Sequence, residues 1–521
     1  MASEPRVLWV DDEVDLLRPH ILFLETKGYD VTSVSNGADA VDKVRESRFD
    51  IVLLDEQMPG MGGLETLEEI KQLVPELPVV MVTKSEEEHL MEEALGGQIG
   101  DYLTKPVNPS QILLTIKRLL ERSRLRTERV SQNYLQSFNE ITRSIMNPLS
   151  HAEWTEVYQK LVRYDLELEG DENARQILDD QFREANRAFG RFIESHYSGW
   201  IGRVDDNPDE ERPPLSHELI PRYVLPEMKK GKPVIMIIID CMRLDQWLQL
   251  ENLLYGSFEM EKQFYYSILP TATPYSRNSI FSGLLPRDIA ERYPRIWASG
   301  EDDEYSRNRN EKEFLEDLLG RHHVSPSLRY EKLVGTQDGR DFARQASDFT
   351  QYDLSAIVIN FVDILTHSRS DSDVLKEIAP DERAFRALTR TWFEHSWLYQ
   401  AFKEFSEMDA TIIVTTDHGA IRSLHATKVI GDRETSTALR YKYGRSLKCD
   451  DRHAIFVRDP ETFGLPKSGA NTNYIIAKED YYFVYPTNFH HYQNLYRDTM
   501  QHGGASLEEM ILPIVTLRPR G

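Results

Sequence analysis

Cysteines and long apolar runs are scarce in this sequence. Of its 521 residues only Cys241 and Cys449 are cysteines, too few for the disulfide framework of a small secreted protein. The longest apolar run, Val234 to Ile239, is about a third of the roughly 20 residues that a membrane-spanning helix needs. The N-terminal stretch also lacks the basic and apolar segments of a signal peptide. We therefore expect a reduced, soluble, cytoplasmic protein without membrane insertion.

Basic residues are the minority, since 62 Lys and Arg stand against 86 Asp and Glu, for a formal net charge of −24. So acidic a surface repels phosphate backbones, no run of Lys or Arg stands out, and no recognition-helix motif occurs. We therefore expect no direct binding of duplex DNA. The length suggests three or four structural units at roughly 150 residues each, and 40% apolar residues suffice for real cores.

Four regions follow one another along the chain. In residues 1–122, five short β-rich runs alternate with helical periods, the fourth helix beginning at Ser85, which indicates a doubly wound, flavodoxin-like (βα)5 sheet. Residues 123–202 contain no strand-like run and predict a central helical bundle, with a solvated spacer as the alternative. Residues 203–229 are acidic and proline-rich, as in a linker. Residues 230–521 return to an α/β pattern.

Polar side chains stand at the ends of the strands in the first region. Each of the following residues ends or follows a β-rich run: Asp11, Asp12, Asp55, Thr83 and Lys105. Because the carboxyl ends of parallel strands meet at one edge of a sheet, we expect these side chains to converge. Converging carboxylates repel one another and form a site for a hard cation, for which Mg²⁺ is suited.

With Tyr102 and the Lys105-Pro106 step in addition, this pattern closely resembles the response-regulator receiver family. The resemblance implies that Asp55 accepts a phosphoryl group from a cognate sensor histidine kinase. It also implies that Thr83 hydrogen bonds the new phosphoryl group and that Tyr102 moves inward to report it. Receivers of this family often dimerise after phosphorylation.

The same resemblance implies how a cation is held. Mg²⁺ would be bound by Asp12, Asp55 and the backbone carbonyl of Gln57, with Asp11 close by. The metal and Lys105 would neutralise charge on the oxygens of the transferring phosphoryl group.

A second group of metal-binding residue types lies in the last region. Three aspartates and three histidines end strand-like runs or follow them: Asp240, Asp363, His367, Asp417, His418 and His502. Such mixed nitrogen and oxygen ligands hold Zn²⁺ or Mn²⁺. Asp363 and His367 are four residues apart, so one helical turn places both on the same side. Asp417 and His418 are adjacent, so both can reach a metal only from an irregular turn, which Gly419 permits.

These motifs resemble the alkaline-phosphatase superfamily and, within it, the PglZ branch, in which a Thr or Ser alkoxide bridges two zinc ions. Carried over residue by residue, the resemblance implies two ligand sets. One zinc ion would be held by Asp363, His367 and His502, and the other by Asp240, Asp417 and His418. Two such ions can acidify a hydroxyl and clamp the attacking and leaving oxygens of a phosphoryl displacement.

The nucleophile in this resemblance is a threonine of the segment LPTATP. Both Thr271 and Thr273 fit, and an ungapped comparison with phosphodiesterase relatives favours Thr273. A helix that begins near Ser276 would direct its N-terminal amides at a phosphate, with Arg277 or Asn278 as additional donors.

A receiver followed by a PglZ domain is similar to response regulators associated with the type IX secretion system. That likeness implies a sensor kinase, a homodimer formed on phosphorylation, and contacts with a secretion-motor protein and an extracytoplasmic-function sigma factor. The leading hypothesis is a zinc-dependent phosphodiesterase output that acts on nucleotide-type phosphodiesters. The alternatives are a non-enzymatic adaptor whose metal-bound domain binds protein partners, and a phosphomonoesterase or mutase with the same ligands.

Overall fold

The chain divides into two compact units, Met1–Asn133 and Tyr134–Gly521. The structure is a computed structural model, and it describes residues 4–74, 77–83, 99–168, 171–201, 212–298, 309–431, 438–467, 469 and 471–520. In this described part of the chain, no helix is both long enough and apolar enough to cross a membrane.

The first unit is built on a five-stranded parallel sheet with the strand order β2-β1-β3-β4-β5. Its strands are β1 (Arg6–Val10), β2 (Asp30–Val34), β3 (Ile51–Asp55), β4 (Val79–Thr83) and β5 (Asp101–Thr104). Because side chains alternate along a strand, Leu8 and Val10 enter one apolar core while Val7 and Trp9 enter another. Burial on both faces explains the continuously apolar strand sequences. The parallel α/β fold predicted from the sequence is confirmed.

The described helices of the first unit are Val14–Glu25, Gly37–Glu46, Gly63–Leu73 and the start of Pro109–Met146. The helix that we predicted from Ser85 lies outside the described residues. The sequence pattern led us to end the last helix near residue 122, but it continues to Met146 because no Gly or Pro follows Pro109 within it. The boundary between the two units falls inside this helix.

Two further helices, His151–Glu167 and Glu172–Ile201, follow in the second unit. Phe189 and Trp200 of the second helix pack against the ring of Tyr266, at centroid distances of 6.1 and 5.6 Å. Tyr266 belongs to the α/β part of the same unit, so these helices bury an aromatic face against it. A solvated spacer would not do so.

The α/β part of the second unit contains a six-stranded sheet with the order β7-β18-β10-β6-β9-β8. Its strands are β6 (Val234–Ile239), β7 (Phe258–Tyr266), β8 (Leu328–Leu333), β9 (Leu354–Ile359), β10 (Thr411–Thr415) and β18 (Ile511–Pro519). Strands β10, β6, β9 and β8 are parallel, and β18 runs antiparallel to β10 and β7. The three apolar strands predicted from the sequence are β6, β9 and β10, which lie side by side.

Smaller strands and helices surround this sheet. The short strands are β11 (Ile421–Ser423), β12 (His425–Lys428), β13 (Tyr441–Arg445), β14 (Ala454–Val457), β15 (Thr472–Ala477), β16 (Tyr481–Val484) and β17 (Thr499–Gln501). The helices are Leu225–Met228, Leu244–Glu251, Thr273–Ser282, Pro286–Arg292, Pro294–Ala298, Glu311–Arg321, Thr336–Arg344, Phe361–Asp371, Asp373–Ile378, Glu382–Glu394, Trp397–Ser406, Phe489–Tyr496 and Leu507–Met510. Apolar clusters lie on both faces of the sheet, one containing Ile237 and the other Ile238.

The segment that reads as a linker in the sequence differs from that expectation in its described part. Residues 212–228 form short helical turns, including Ser216–Glu218 and Ile220–Val224. Leu219 and Ile220 are fully buried in the core beneath the sheet. The prolines suppressed a regular helix, but the apolar residues between them anchor the segment.

Candidate metal centres

The first cluster lies at the carboxyl ends of β1, β3 and β5. Asp11 follows β1 and Asp55 ends β3, and both are buried. Lys105 follows β5, and its Nζ lies 2.8 Å from Asp11 Oδ2 and 3.0 Å from Asp55 Oδ2. Asp12 is exposed beside them, and ligand atoms of the three aspartates all lie within 4.8 Å of one another. The structure therefore brings the predicted carboxylates and the lysine together.

Burial and charge oppose each other at Asp55. Burial raises the pKa of Asp55 above its ordinary value, the neighbouring Asp11 and Asp12 add to the rise, and Lys105 counteracts it. The pKa of Lys105 is also raised, because its two carboxylate partners outweigh its own burial. One ammonium group thus faces three carboxylates, which leaves negative charge that a cation can balance.

The other predicted residues of this site lie around it. Thr83 ends β4 and is buried, whereas Gln57 is exposed in the loop after β3. Tyr102 is half-buried and packs against the core that contains Leu8. A β-carbon on Gly63 would lie only 2.4 Å from the carbonyl oxygen of Asp55, so the helix after β3 starts this close to the site only because it starts with glycine.

The second group of ligands lies at the carboxyl edge of the larger sheet. Asp240 follows β6, and Asp417 and His418 follow β10, its parallel neighbour. Asp363 is in the first turn of the helix Phe361–Asp371, which begins just after β9. His502 follows the short strand β17. The six predicted ligands form two clusters of three, with the membership that the resemblance implies.

The cluster of Asp240, Asp417 and His418 is fully buried. His418 Nε2 lies 3.8 Å from Asp240 Oδ1 and 3.9 Å from Asp417 Oδ2. Neither of these two carboxylate oxygens has a hydrogen-bond partner among the described residues. Buried, unpartnered carboxylate oxygens that face an imidazole nitrogen fit a metal ion, because leaving them unsatisfied is costly.

The cluster of Asp363, His367 and His502 is more open. Asp363 Oδ1 lies 3.3 Å from His367 Nε2 and 3.8 Å from His502 Nε2, and the His367 side chain is 47% exposed. The rings of His418 and His502 stack with centroids 4.3 Å apart. The two clusters therefore adjoin through these rings, and the cluster that contains His367 is open to solvent at that side chain.

Protonation equilibria in the two clusters differ. Burial raises the pKa of Asp240 to about 7, and Arg277 opposes this shift. Burial also raises the pKa of Asp417 and lowers that of His418, so the imidazole is neutral as metal ligation requires. Burial alone would raise the pKa of Asp363 as well. The hydrogen bond and charge of His367 outweigh burial, so the pKa of Asp363 is lowered.

The two candidate nucleophiles have different surroundings. Thr273 is the first residue of the helix Thr273–Ser282, and its Oγ1 lies 3.0 Å from His418 Nε2. Thr271 instead donates its hydroxyl proton to the carbonyl of Gly504 at 2.7 Å and accepts from the Gly503 amide at 3.2 Å. Thr273 thus faces the ligands, while the hydroxyl of Thr271 joins two backbone segments.

The predicted substrate donors are engaged within the protein. Arg277 is buried, and its Nη1 donates to Asp240 Oδ2 at 2.6 Å and lies 3.7 Å from Asp417 Oδ2. Its Nε lies 3.3 Å from Glu311, a buried partner that sequence analysis missed. The Asn278 side chain donates to the carbonyl of Pro274 in its own helix at 3.0 Å. Both side chains therefore have partners within the protein, and direct substrate binding by either stays a prediction.

A glycine and a buried ion pair support the ligand turns. A β-carbon on Gly419 would lie 2.0 Å from the carbonyl oxygen of Glu508, so only glycine lets the turn after His418 approach that segment. Arg440 forms a buried two-pronged ion pair with Glu509, with N–O distances of 2.9 and 2.6 Å. Glu509 also accepts from the Gly504 amide at 2.8 Å. Glu508 and Glu509 stand just after His502-Gly503-Gly504 in the sequence, but their position alone indicated no role for either.

Family models match each of the three parts of the chain: the parallel α/β unit, the helices that follow it and the larger α/β part. Models match residues 7–117 (response regulator receiver domain), 124–201 (PorX response regulator linker domain) and 219–517 (BREX system PglZ alkaline phosphatase-like domain). The last model covers more than half of the chain, which therefore belongs to the PglZ family of alkaline-phosphatase-like proteins.

Curated relatives match the first unit and its continuation. The transcriptional regulatory protein CpxR homolog of Haemophilus influenzae is 37% identical over 26% of this chain and 60% of its own length. The transcriptional regulatory protein ResD of Bacillus subtilis is 33% identical over 23% of this chain and 50% of its own length. The chain thus spans about half the length of these relatives.

Solved structures match the same part of the chain. A receiver domain from Clostridium thermocellum is 27% identical, covers 23% of this chain and 98% of its own, and gives a TM-score of 0.22. A CheY-like receiver domain from Methanospirillum hungatei is 33% identical, covers 23% of this chain and 96% of its own, and gives a TM-score of 0.22.

Proposed function

We propose that the chain is a two-component response regulator, phosphorylated on Asp55 by a cognate sensor histidine kinase, with a zinc-dependent phosphodiesterase output. Its substrates are nucleotide-type phosphodiesters. The observation that carries the output activity is the 3.0 Å contact between the Thr273 hydroxyl and His418 Nε2, inside a set of six potential zinc ligands. A hydroxyl beside metal ligands at a helix N-terminus is the arrangement that nucleophilic phosphoryl transfer requires.

The two clusters would hold the zinc ions as two sets of three ligands. When bound, the ions would acidify the nucleophile and offset negative charge on the phosphate. The Thr273 oxygen attacks phosphorus, and one ester group leaves as its alcohol. Water then hydrolyses the bond between the Thr273 oxygen and phosphorus. The helix that starts at Thr273 carries partial positive charge at this end and stabilises the phosphate. Arg277 fixes Asp240 through the 2.6 Å hydrogen bond, which leaves Asp240 Oδ1 directed away from it.

In the first unit, Asp55 is the phosphoacceptor. Asp12, Asp55 and the Gln57 carbonyl would hold Mg²⁺ next to Asp11, and the ion would offset charge on the incoming phosphoryl group. Lys105 contacts both Asp11 and Asp55 and can shift to a phosphoryl oxygen without leaving the site. Thr83 hydrogen bonds that group, and the half-buried Tyr102 moves inward in response.

The order of the three matched models is that of the PorX-like architecture, and it supports the regulatory setting that we propose. We place the protein in the cytoplasm, as a regulator of type IX secretion that forms a homodimer on phosphorylation. A secretion-motor protein and a sigma factor are the proposed partners. The net charge of −24 supports protein partners over direct duplex DNA binding.

Separate substitution of the two threonines tests the output activity. Thr273→Val in the zinc-loaded chain should abolish hydrolysis of bis(p-nitrophenyl) phosphate, whereas Thr271→Val should keep turnover within about tenfold of the wild type, since it loses only a positioning hydrogen bond. Activity that survives Thr273→Val would contradict the mechanism. No turnover by the zinc-loaded wild type, before or after phosphorylation of Asp55, would favour the adaptor. Faster turnover of p-nitrophenyl phosphate would favour a monoesterase.

A further inference from the structure

The helix Glu172–Ile201 contacts the segment that follows His502. Asn186 on this helix accepts from the Leu507 amide at 2.8 Å and donates to the Glu508 carboxylate oxygens at 3.2 and 3.0 Å. The amide of Asn186 is 5% exposed, so these hydrogen bonds are shielded from water. Both ends of one buried side-chain amide therefore bond to two adjacent residues, Leu507 and Glu508, of this segment.

The same segment also supports the turn that carries Asp417 and His418. The Glu508 carbonyl oxygen is the atom that a β-carbon on Gly419 would strike, and the Gly419 amide donates to the Glu509 carbonyl at 3.3 Å. A shift of the segment held by Asn186 would thus be passed to the turn after His418 through direct backbone contact.

The same helix contacts the segment that carries the nucleophile. The hydroxyl of Tyr197 accepts from the Leu269 amide at 2.9 Å, four residues before Thr273. Tyr197 is fully buried. Asn186 and Tyr197 are eleven residues apart, which is about three helical turns and about 16 Å of rise, so they share one face of the helix.

The two segments are joined to each other as well. Thr271, two residues after Leu269, exchanges hydrogen bonds with Gly503 and Gly504 on the segment after His502. The helix Glu172–Ile201, the segment from Leu269 to Thr273 and the segment after His502 are therefore linked in a closed ring of buried hydrogen bonds. A rigid helix on one side of such a ring fixes the separation of the other two segments.

We propose that Asn186 and Tyr197 are positioning residues, through which the helix Glu172–Ile201 sets the spacing between Thr273 and the zinc ligands. This inference rests on the proposed phosphodiesterase function. Groups that orient metal ligands from behind typically change metal affinity or activity by about 10–100-fold when they are removed. The helical segment is then a working part of the catalytic unit.

Residues of the same helices provide matched controls. Gln181, another buried amide on Glu172–Ile201, bonds only to helical partners: the Phe138 carbonyl, the Thr142 hydroxyl and the Tyr134 hydroxyl. Tyr164 donates its hydroxyl to Ser137 at 2.8 Å, away from the ligand segments. Gln181→Ala and Tyr164→Phe remove hydrogen bonds of the same kinds without reaching the site.

The test uses the full chain, with Co²⁺ as a spectroscopic probe and bis(p-nitrophenyl) phosphate as substrate. Asn186→Ala should weaken Co²⁺ binding, followed by its visible absorption, about 10–100-fold. Tyr197→Phe should bind Co²⁺ normally but lower kcat about tenfold with KM changed less than about twofold, because only the approach of Thr273 is disturbed. Gln181→Ala and Tyr164→Phe should lower the melting temperature yet leave Co²⁺ affinity, kcat and KM unchanged.

The outcomes separate this inference from the function beneath it. If Asn186→Ala and Tyr197→Phe lose only thermal stability, like their controls, the positioning role is wrong. If Asn186→Ala does not fold, Asn186→Asp replaces it, because Asp keeps the acceptor for the Leu507 amide, loses the donor to Glu508 and places a second carboxylate beside it. An inactive wild type refutes the phosphodiesterase, while the Co²⁺ spectra of the Asn186 variants still decide whether the helix positions the ligands.

Discussion

The two acidic clusters of this molecule use the same architectural position with different chemistry. In the first unit, three aspartates at strand ends offer only oxygen ligands, Asp12 is exposed, and Lys105 contacts the two buried carboxylates. In the second unit, each set of three includes imidazole nitrogens, and one set is fully buried. Oxygen ligands alone, with one carboxylate exposed, suit a hard, exchangeable Mg²⁺, whereas mixed nitrogen and oxygen ligands suit a retained Zn²⁺.

The comparison teaches that the carboxyl edge of a sheet specifies where candidate metal ligands gather, while donor type and burial favour one kind of ion over another. It also implies that the two sites can be disabled separately.

The largest effects are expected when one site at a time is disabled by substitution and both activities are measured. His418→Ala should lower phosphodiester hydrolysis by at least about a thousandfold, because it removes both a zinc ligand and the group that contacts Thr273. It should leave phosphorylation of Asp55 by acetyl phosphate unchanged, as measured by intact-protein mass. Asp55→Asn should do the reverse and abolish phosphorylation while zinc content stays the same. Loss of both activities in either variant would contradict the separation.

The next largest difference is expected in how firmly each site retains its metal ion. A single passage over a desalting column should remove Mg²⁺ completely but leave about two zinc ions per chain by elemental analysis. A strong chelator should then remove the zinc slowly and with it the hydrolytic activity, and added Mg²⁺ should not restore turnover. Activity restored by Mg²⁺ alone would show that the second unit is not a zinc site.

Zinc affinity should depend on pH because of Asp240. Its pKa of about 7 in the metal-free chain lies above the ordinary aspartate value, so below pH 7 a proton competes with zinc for this carboxylate. Apparent affinity, measured by competition with a chromophoric chelator, should fall about tenfold per pH unit from pH 7 to 5.5 and level off above about pH 8. A flat profile between pH 5.5 and 7 would show that Asp240 is not a ligand.

The smallest effect is expected for stability of the first unit without Mg²⁺. The folded-state pKa of Asp55 is raised by burial, so its charge destabilises the folded state at neutral pH. Asp55→Asn should therefore raise the melting temperature by a few degrees at pH 7, and this gain should vanish as the pH falls toward the ordinary aspartate pKa of about 3.9. Added Mg²⁺ should stabilise the wild type more than the variant. An equal response of both proteins would mean that Asp55 does not bind the ion.

The sequence predicted the parallel sheet of the first unit, the strands β6, β9 and β10 of the second, and the candidate ligands, because all of these follow from local patterns. An apolar run that ends in Asp marks the carboxyl end of a buried strand, as at Asp240 and Asp417, and strand ends converge. The difference in surroundings between Thr271 and Thr273 needed the structure, since it depends on where the helix begins and on a partner at Gly504.

Other features had no local signal. Asn186 reaches Glu508 across 322 residues, and Arg277 is held by Glu311, so neither contact shows in the spacing of residues. The long helix past residue 122 follows from the absence of Gly and Pro. This absence shows in the sequence, but the usual size of a receiver domain favoured a boundary at residue 122.

The close approach of Gly63 to the carbonyl of Asp55 and of Gly419 to that of Glu508 has a consequence for how the gene can vary. In a saturation library selected for function, even alanine should be depleted at these two positions as strongly as substitutions of Asp55 and Asp417 themselves. These two glycines carry no reactive atom, yet we expect them to tolerate substitution as poorly as the acids beside them.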